Sequence, residues 1–558
     1  MIKEASANLN LSNDCTLIVS TSPRHSPGER AGVRLLNTMK IKTTLFLLLC
    51  IFLFNSCFTR KQEITQSNFN VVETTIAEVH QALKKGTCNC EILVSNYLQR
   101  IAAYDQITHL NSIITTNPDA LKRARELDEE YRRTKKLRPL HCIPMIVKDN
   151  YQTAGLQTTG GSILFQGFKP EEDAHMVKLL KDGGAIVLAK SNMAEWAFSP
   201  KVTISSIAGE TLNPYNLGYT TAGSSGGTAA AVAANLGEAG VGTDTGNSIR
   251  GPSSHNALVG FRPTLGLCSR SGIIPLFLNN DTGGPICRSV ADATKILQVV
   301  AKYDPKDSTT IQSKGKIPAN YPQYLKKDGL KGARIGVLRV LSERNIDPQI
   351  KVLFEQAIAD LKKAGAIIVD PLDIPDFAKL SRQNWGSTFR EDINTYLASL
   401  GEKVPVKNLD EIIASGKYAD YIKPNLDYFK QVDPERSPYA LMDAYHDPRR
   451  IAFRNAIEKV MNEQHLGAII YPTWNNPPAK IGDFNGYKGD NSQIISPHTG
   501  QPAFTIPMGY SSSNLPAGLQ FLGRAFDEPT LIKYTYAYEQ ATRHRKAPEG
   551  FGALKGKH

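Results

Sequence analysis

Three serines in two glycine-rich loops are the first candidates for chemistry in this sequence. Ser224 and Ser225 lie in AGSSGG (222–227), and Ser248 lies in GTDTGNSIRGP (242–252), with an Ala- and Gly-rich stretch between the two loops. Glycine allows backbone angles and close approaches that other residues do not. Loops of this kind are suited to presenting a serine hydroxyl as a nucleophile.

A serine nucleophile needs a base, and the sequence offers two candidates. His255 is the nearest histidine, but no Asp or Glu lies close to it. Lys148 directly follows the apolar run 143–147, which reads as a buried strand. Burial lowers the pKa of an amine, so a buried lysine can accept a proton, whereas Asp149 is expected on the opposite strand face. An isolated buried lysine is more often structural than catalytic, but the serine loops favour Lys148 as the base.

The elements that must position these residues follow from alternating apolar runs and helical spacing. Helical periodicity begins at about Thr75, and the regions 303–331 and 377–448 read as helical insertion and loop. The alternation predicts one domain of α/β/α layers. Strands are predicted at 143–147, 185–189, 237–242, 334–340, 468–471 and 518–522, and helices at 174–181, 226–236 and 529–542.

The N-terminal region has the pattern of a targeting segment. In residues 39–57, two lysines precede an unbroken apolar run of ten residues, Leu45 to Phe54. Such a run is short for a membrane span but typical of a signal peptide. We interpret residues 1–38 as an upstream extension that is not translated, with Met39 as the start. Cys57 is a candidate lipidation site that would tether the protein to a membrane; a plain cleaved signal and an uncleaved anchor are the alternatives.

These features predict the domain organisation and the location. Residues 58–74 are rich in Gln, Thr, Asn and Ser and are predicted to be a tether. The catalytic domain is predicted at 75–545 and a tail at 546–558. We expect an exported protein, either periplasmic or a membrane-anchored lipoprotein of a bacterium.

Composition excludes several classes of function. The net charge is +12, but the basic residues are dispersed, so no nucleic-acid role is indicated. Five cysteines follow Cys57, and no C-x-x-C or H-E-x-x-H motif occurs, which argues against a disulfide framework and against a metal. Cys88 and Cys90 are expected to be unpaired, and pairing of Cys268 with Cys287 is left open.

Several motifs, in order, resemble the amidase-signature hydrolases over about residues 75–545. IPMIVKDN (143–150) resembles the lysine motif of that family, and the two serine loops resemble its two serine motifs. The resemblance implies an α/β fold in which helices flank a central mixed sheet. Further matching stretches are KSNMAEW (190–196), GFRPTLG (260–266), SRSGIIP (269–275), GPICRSVADA (284–293) and PAGLQFLGRAFDEPTL (516–531).

The resemblance also implies a role for each catalytic residue. Ser248 corresponds to the nucleophile, and Ser224 corresponds to the serine that bridges nucleophile and base, held through a cis peptide bond. Lys148 corresponds to the base and must be neutral to accept a proton. No cofactor is required by this mechanism.

The nucleophile loop is expected to supply an oxyanion hole. Backbone N–H groups stabilise charge that develops only in the transition state. We interpret Asp244 and Arg250 as a scaffolding pair, with Ser225 also beside the catalytic residues and direct substrate contact as the alternative. The residues whose backbone is expected to form the hole are Thr245, Gly246, Asn247 and Ser248.

Three positions depart from the pattern of the family. Asn247 stands where many members have Gly; if the position requires a positive φ, Asn is the best-tolerated substitute, and its side chain would narrow the acyl pocket. Ala222 also replaces a usual Gly. Cys142 stands where the lysine motif usually has Gly, as a packing residue or as a sensitive thiol near the lysine.

The sequence therefore predicts an amidohydrolase that cleaves a small-molecule or peptide amide, with oligomeric state open. One alternative is an α/β-hydrolase with Ser225 at the centre of G-x-S-x-G, but residues 213–222 before it read poorly as a strand. A phosphate-binding loop is disfavoured because the G-K-[ST] ending is missing. The A subunit of a tRNA-dependent amidotransferase and a non-catalytic family member are the remaining alternatives.

Overall fold

A computed structural model describes residues 69–382, 388–432 and 439–554. The predicted extension 1–38, the signal segment 39–57 with Cys57, and the tether up to residue 68 lie outside these described residues. Among the described helices, none combines the length and the apolarity that crossing a bilayer requires.

The centre of the domain is a large mixed sheet. The strands, in chain order, are β1 Ile113–Thr116, β2 Pro144–Lys148, β3 Ile186–Ser191, β4 Ile204–Ser205, β5 Gly209–Glu210, β6 Leu212–Asn213, β7 Asn216–Thr220, β8 Ala239–Asp244, β9 Val259–Arg262, β10 Thr282–Cys287, β11 Arg334–Val337, β12 Ile367–Val369, β13 Ala468–Pro472, β14 Ala503–Tyr510 and β15 Pro516–Leu522. Within the described residues, eleven strands form the sheet in the order β1-β3-β2-β8-β10-β9-β14-β15-β13-β11-β12, while β4–β5 and β6–β7 are separate pairs.

Helices pack against this sheet along its length. The α-helices are α1 Ile76–Lys85, α2 Cys90–Tyr104, α3 Ala120–Thr134, α4 His175–Asp182, α5 Gly226–Ala233, α6 Arg250–His255, α7 Val290–Val300, α8 Arg339–Ser342, α9 Pro348–Lys363, α10 Phe377–Leu380, α11 Phe389–Ser399, α12 Leu409–Ser415, α13 Lys423–Gln431, α14 Pro448–Glu463, α15 Ser496–Thr499 and α16 Glu528–Thr542. Helix α3 packs against β3, α5 against β2 and β8, α7 against β10, and α16 against β14. The predicted fold class, a central mixed sheet flanked by helices, is confirmed.

Two adjacent parallel strands bring the candidate base and the nucleophile loop together. Strand β2 pairs in parallel with β3 on one side and with β8 on the other. Every residue of β2 is buried, as its apolar sequence predicts. Lys148 is the last residue of β2, and β8 ends at Asp244, immediately before the loop that carries Ser248. Because parallel strands end at the same edge of a sheet, both groups lie at that edge.

Small residues let helix α5 pack closely on these strands. A Cβ atom on Gly227 would lie 2.2 Å from the carbonyl oxygen of Asn192, and one on Gly240 would lie 2.4 Å from Cγ2 of Thr228. All residues of α5 are buried. The helix begins directly after Ser225, so its close packing fixes the position of the first serine loop.

Most predicted elements are confirmed, with boundaries shifted by a few residues, but one prediction was wrong. The helix predicted at 226–236 ends at Ala233, and the strand predicted at 334–340 ends at Val337. The stretch 213–222 contains strand β7, which pairs antiparallel with β6. This pair lies outside the central sheet, so β7 does not supply the sheet strand that a nucleophile elbow at Ser225 requires.

Packing extends beyond the predicted domain limits of 75 and 545. Glu73 forms an ion pair with Arg545 at 2.8 Å. The guanidinium of Arg100 donates hydrogen bonds to the carbonyl oxygens of Phe551 (2.7 Å) and Gly552 (2.6 Å). These contacts join residues more than 400 positions apart, so no local pattern in the sequence could reveal them.

The cysteines pair differently from the prediction. Cys90, at the start of α2, forms a disulfide with Cys142, just before β2, with a Cα–Cα distance of 5.2 Å that is ordinary for such a bond. Cys88, Cys268 and Cys287 are free and buried. Cys90 is therefore not unpaired, Cys142 is not a free thiol, and the open pairing of Cys268 with Cys287 does not occur.

Two of the three departures from Gly lie at left-handed backbone positions. Cys142 has φ 65° and Ala222 has φ 59°. A left-handed conformation costs a residue with a Cβ atom about 1–2 kcal/mol, a cost that Gly avoids. At position 142 the disulfide offsets this cost, because it restricts the unfolded chain between residues 52 positions apart.

We therefore expect Cys142→Ala and Cys142→Gly to differ in stability although both remove the disulfide. Loss of the disulfide should lower the free energy of unfolding by about 2–4 kcal/mol in each variant. The alanine variant should lose about 1 kcal/mol more, because it keeps a Cβ atom at a left-handed position. Denaturant unfolding of the oxidised proteins measures both effects, and Cys90→Ala is the control that leaves residue 142 intact. Equal stability of the two variants at position 142 would contradict this account.

Candidate active site

Lys148 is completely buried and its amine is surrounded by hydroxyl groups. Its Nζ atom donates hydrogen bonds to Ser224 Oγ (2.7 Å) and to Thr243 Oγ1 (2.8 Å). Asn150 holds Thr243 in place by donating to the same hydroxyl oxygen at 3.0 Å. Within the described part of the chain, no carboxylate lies within ion-pair distance of Lys148.

This environment lowers the pKa of Lys148 to about 7. Burial is the main cause, because it disfavours the charged ammonium. The negative charges of Asp281 and Asp244 act in the opposite direction and raise the pKa, but they do not outweigh burial. A large fraction of Lys148 is therefore neutral at neutral pH and can accept a proton.

The carboxylate next to Lys148 in sequence is engaged elsewhere. Asp149 Oδ1 lies 3.2 Å from Nζ of Lys190, and its Oδ2 accepts a hydrogen bond from the backbone N–H of Thr159. Lys190 is on the neighbouring strand β3, opposite Val147. As expected from strand geometry, Asp149 points away from Lys148, so its charge does not hold that lysine in the ammonium form.

Ser224 is buried and is fixed by backbone contacts on both sides. The Gly223–Ser224 peptide bond is cis, as the family resemblance implied. The carbonyl oxygen of Ser224 accepts a hydrogen bond from the N–H of Ala194 at 3.0 Å. A Cβ atom on Gly223 would lie 2.3 Å from the carbonyl oxygen of Val202, so only glycine fits before this serine.

Ser225 has the surroundings of a structural residue. It is fully buried, and its hydroxyl donates to the carbonyl oxygen of Thr243 at 3.2 Å. It also directly precedes helix α5. These contacts tie the first serine loop to the end of strand β8.

A buried ion network holds the nucleophile loop. Asp244 contacts Arg250 at 3.0 Å and Arg262 at 2.8 Å, and all three side chains are fully buried. Arg250 also donates to the carbonyl oxygen of Gly246 at 2.7 Å. Burial tends to raise the pKa of Asp244, but the two guanidinium groups outweigh it and lower the pKa to about 2. Asp244 and Arg250 thus fit the scaffolding interpretation, because both bind the loop itself.

The loop leaves a group of backbone donors available to a ligand. The N–H groups of Ile249 and Arg250 donate to Asp244 Oδ2, at 3.1 and 3.4 Å. By contrast, the four preceding N–H groups donate to no acceptor within the described residues. Uncommitted adjacent donors of this kind can bind an oxyanion. The four residues are Thr245, Gly246, Asn247 and Ser248.

These residues line a small cavity of about 190 Å³. Ser248 is 4% exposed, and its hydroxyl lies 3.4 Å from Oδ1 of Asn247. Thr245 is held by a hydrogen bond of 2.5 Å from its hydroxyl to Asp281. Larger cavities of about 360 and 630 Å³ are lined by none of the candidate site residues, so size alone does not locate the site.

Asn247 replaces Gly for a different reason from the one expected. Its φ is not positive, so backbone strain does not select the residue here. Its side-chain Nδ2 donates to Asp490 (2.8 Å) and to the carbonyl oxygen of Pro200 (3.2 Å). Gly251 provides the room, since a Cβ atom there would lie 2.7 Å from Nδ2.

His255, the rejected candidate base, does not belong to this arrangement. It is buried at the end of α6, and its ring packs against Trp474 with centroids 4.7 Å apart. Burial lowers its pKa to about 3. It therefore remains neutral at physiological pH and acts as a packing residue.

Among the described residues, one cluster has metal-ligand spacing: Cys90, His141 and Cys142. Two of its three members are joined in the disulfide, so their thiolates are not available as ligands. The residues around Ser248 include no such cluster within the described part of the chain.

Sequence reasoning missed three residues of the site. Thr243 and Arg262 lie inside quoted motifs, but a threonine in a strand and a buried arginine give no separate signal. Asp281 lies in a loop before β10 and is brought to Thr245 only by the antiparallel pairing of β10 with β8. The contacts of these residues depend on the order of the strands in the sheet, which no local pattern in the sequence reveals.

Comparisons with known proteins identify the family of this chain. Residues 92–532 match the family model described as Amidase. A protein of Arabidopsis thaliana named as a probable amidase is 33% identical over 528 residues, covering 90% of this chain and 97% of the relative. The A subunit of the glutamyl-tRNA(Gln) amidotransferase of Thermoanaerobacter pseudethanolicus is 32% identical, covering 86% and 99%.

A solved structure gives the same result for the fold. The native peptide amidase from Stenotrophomonas maltophilia superposes with a TM-score of 0.76 at 35% identity, covering 86% of this chain and 98% of that one. Sequence match and fold agree over nearly all of the described domain, and this chain belongs to the amidase family of amidase-signature proteins.

Proposed function

We propose that this protein is an amidohydrolase in which Ser248 is the nucleophile, Ser224 relays protons and Lys148 is the base. The observation that carries the proposal is the buried Lys148–Ser224 hydrogen bond of 2.7 Å at the sheet edge where the nucleophile loop begins. No carboxylate of the described residues pairs with this buried lysine, and its lowered pKa suits a base.

Acylation begins when Ser248 Oγ attacks the carbonyl carbon of the amide. The Ser248 proton passes to Ser224 as the Ser224 proton passes to neutral Lys148. The uncommitted N–H groups of residues 245–248 stabilise the oxyanion of the tetrahedral intermediate. When the C–N bond breaks, the proton returns through Ser224 to the leaving nitrogen, which departs as ammonia or an amine.

Deacylation repeats these steps with water as the nucleophile. Water attacks the acyl-enzyme carbonyl, and its proton moves through Ser224 to Lys148. Collapse of the second tetrahedral intermediate breaks the ester bond, and Ser248 recovers its proton by the same route. The products are a carboxylic acid and ammonia or an amine, and the residues return to their starting state.

The second candidate function is the glutaminase component of an amidotransferase, favoured by the identity of 32% to the A subunit from Thermoanaerobacter pseudethanolicus over 86% of this chain. Such a component would release ammonia from glutamine in a complex with partner proteins. Ammonia release by the isolated chain from simple amides, but not from glutamine, would favour the amidohydrolase.

We expect Ser248→Ala and Lys148→Met to lower kcat for amide hydrolysis by about 10⁴-fold or more, because each removes a group that acts in every chemical step. Ser225→Ala is the matched control in the same loops and should lower kcat far less, because its hydroxyl holds the loop and takes no part in the chemical steps. Ammonia release measures turnover, and mass spectrometry after treatment with a fluorophosphonate detects a stoichiometric adduct on Ser248. Normal turnover by Lys148→Met, or loss of activity only in Ser225→Ala, would contradict the assignment.

The rate should also depend on pH through Lys148. Protonated Lys148 cannot accept a proton, so kcat/KM should fall below pH 7 with a half-maximal value near that pH. In the unfolded chain this lysine has its usual pKa of 10.5, so the unfolded state binds more protons between about pH 7 and 10.5. Stability relative to Lys148→Met should therefore rise with pH across that window. A pH-independent rate between pH 5.5 and 8.5 would exclude Lys148 as the base.

We also propose that the protein acts outside the cytoplasm. The signal-like segment 39–57 motivates this location, and the Cys90–Cys142 disulfide supports it because disulfides persist mainly in oxidising compartments.

Fractionation of bacteria expressing the full chain should recover the protein outside the cytoplasm, with Cys90 and Cys142 resistant to alkylation after unfolding without reductant. Deletion of residues 39–57 should return it to the cytoplasm. Cys57→Ser should release it from the membrane fraction if Cys57 is lipidated. Full-length protein in the cytoplasm with both thiols alkylated would overturn the proposed location.

A further inference from the structure

The cavity beside Ser248 has apolar walls. Apart from the nucleophile loop, its lining includes the apolar residues Ala197, Phe198, Pro200, Leu276 and Phe277. None of the lining residues is charged. At about 190 Å³ the cavity is smaller than the roughly 300–1,000 Å³ of typical ligand pockets, so it fits a small acyl group.

Two carboxylates contact residues that line the cavity: Asp281 accepts a hydrogen bond from Thr245, and Asp490 is capped by two amide side chains. Asp490 Oδ2 accepts hydrogen bonds from Nδ2 of Asn247 and from Nε2 of Gln493, each at 2.8 Å. Asn247 and Gln493 both line the cavity, whereas Asp490 does not. A neutral amide thus stands between the acid and the cavity at both contacts, and a cationic substrate group would have to displace them.

The aromatic walls are held from behind by the helical insertion. The ring centroid of Phe198 lies 4.6 Å from the ring centroid of Phe389 on α11 and 5.6 Å from that of Phe429 on α13. The ring centroid of Phe277 also lies 5.6 Å from that of Phe429. Phe389 and Phe429 are buried, and aromatic pairs at these distances stabilise one another beyond the area that they bury.

We propose that the enzyme selects amides with a small, uncharged, apolar acyl group, and that Phe198, Phe277 and Asn247 determine this specificity. Phe198 and Phe277 contact the acyl chain, and Phe389 and Phe429 are positioning residues. Asn247 excludes cationic acyl groups by covering Asp490. Transfer of an unpaired charge into an apolar cavity is costly, so charged acyl groups are rejected even when their length fits. This inference rests on the proposed amide hydrolysis.

The test uses amides matched in length that differ in terminal charge. Hexanamide, glutaramate and 5-aminopentanamide carry neutral, anionic and cationic ends, and acetamide has no chain to bind. With the full-length protein, kcat/KM for hexanamide should exceed that for either charged amide by about 100-fold. Ammonia release measures each rate, and Ser248→Ala removes background activity.

Variants of the walls identify the residues responsible. Phe198→Ala and Phe277→Ala should lower the hexanamide-to-acetamide ratio of kcat/KM by about tenfold, because only the longer chain uses the walls. If Phe198→Ala does not fold, Phe198→Leu replaces it in the test. Leucine keeps most of the packing volume, so this variant should give a smaller change in the same direction. Phe165→Leu is the control: Phe165 is buried in the same aromatic cluster but does not line the cavity, so the ratio should not change.

Asn247→Gly tests the cap directly. It removes one of the two amides that cover Asp490, so kcat/KM for 5-aminopentanamide relative to hexanamide should rise by about tenfold, with no rise for glutaramate. Asp490→Asn added to Asn247→Gly should abolish that gain, because it removes the carboxylate that the first substitution uncovers.

The outcomes separate this inference from the proposed function. If no amide is hydrolysed, the proposed function fails. If amides are hydrolysed by Ser248 but the charged ones react as fast as hexanamide, the specificity inference fails alone. An unchanged substrate ratio in both folded wall variants, or an unchanged response to the cationic amide in Asn247→Gly, would overturn the assignment of those residues.

Discussion

The burial of Lys148 among hydroxyl groups is the constraint on which the site depends. A carboxylate partner favours the ammonium form of a lysine, and Lys190 has such a partner in Asp149, although burial lowers the pKa of Lys190 as well. Lys148 instead contacts the hydroxyl groups of Ser224 and Thr243, so no carboxylate among the described residues pairs with it to oppose the effect of burial on its pKa. Two buried lysines on adjacent strands thus have different chemistry because one carboxylate is oriented toward only one of them.

The acidic residues near the site do not outweigh the effect of burial on the pKa of Lys148. Asp244 is neutralised by Arg250 and Arg262, and Asp281 accepts a hydrogen bond from Thr245. Their negative charges still favour the ammonium form of Lys148, but the two arginines limit the effect of Asp244. The same ion network holds the nucleophile loop, so the shape of the loop and the basicity of Lys148 depend on one group of residues.

Much of this could be predicted from the sequence, because the information is local. The apolar run before Lys148 predicts a buried strand, and the glycine-rich loops predict constrained serines. The disulfide could not be predicted, since Cys90 and Cys142 are brought together only when α2 packs beside β2. The odd number of cysteines after Cys57 was misleading as an argument against disulfides, because free buried cysteines such as Cys268 are stable in an apolar core beside a disulfide-bonded pair. The aromatic support of the cavity beside Ser248 was also hidden, because Phe389 and Phe429 come from a region without strand rhythm.

The left-handed backbone at Cys142 constrains the order in which this disulfide could have arisen. Cys90 is a buried small residue on a helix with ordinary backbone angles, so it is tolerated without a partner. A cysteine at position 142 without Cys90 carries the backbone cost with no compensating bond. From a chain with glycine at position 142, the less costly mutational path therefore introduces Cys90 first and replaces the glycine second. In a reducing compartment the disulfide does not form, and the pair of cysteines can be lost. Replacement of Cys142 by glycine is then a less costly first step than replacement of Cys90, because it removes the backbone cost at position 142.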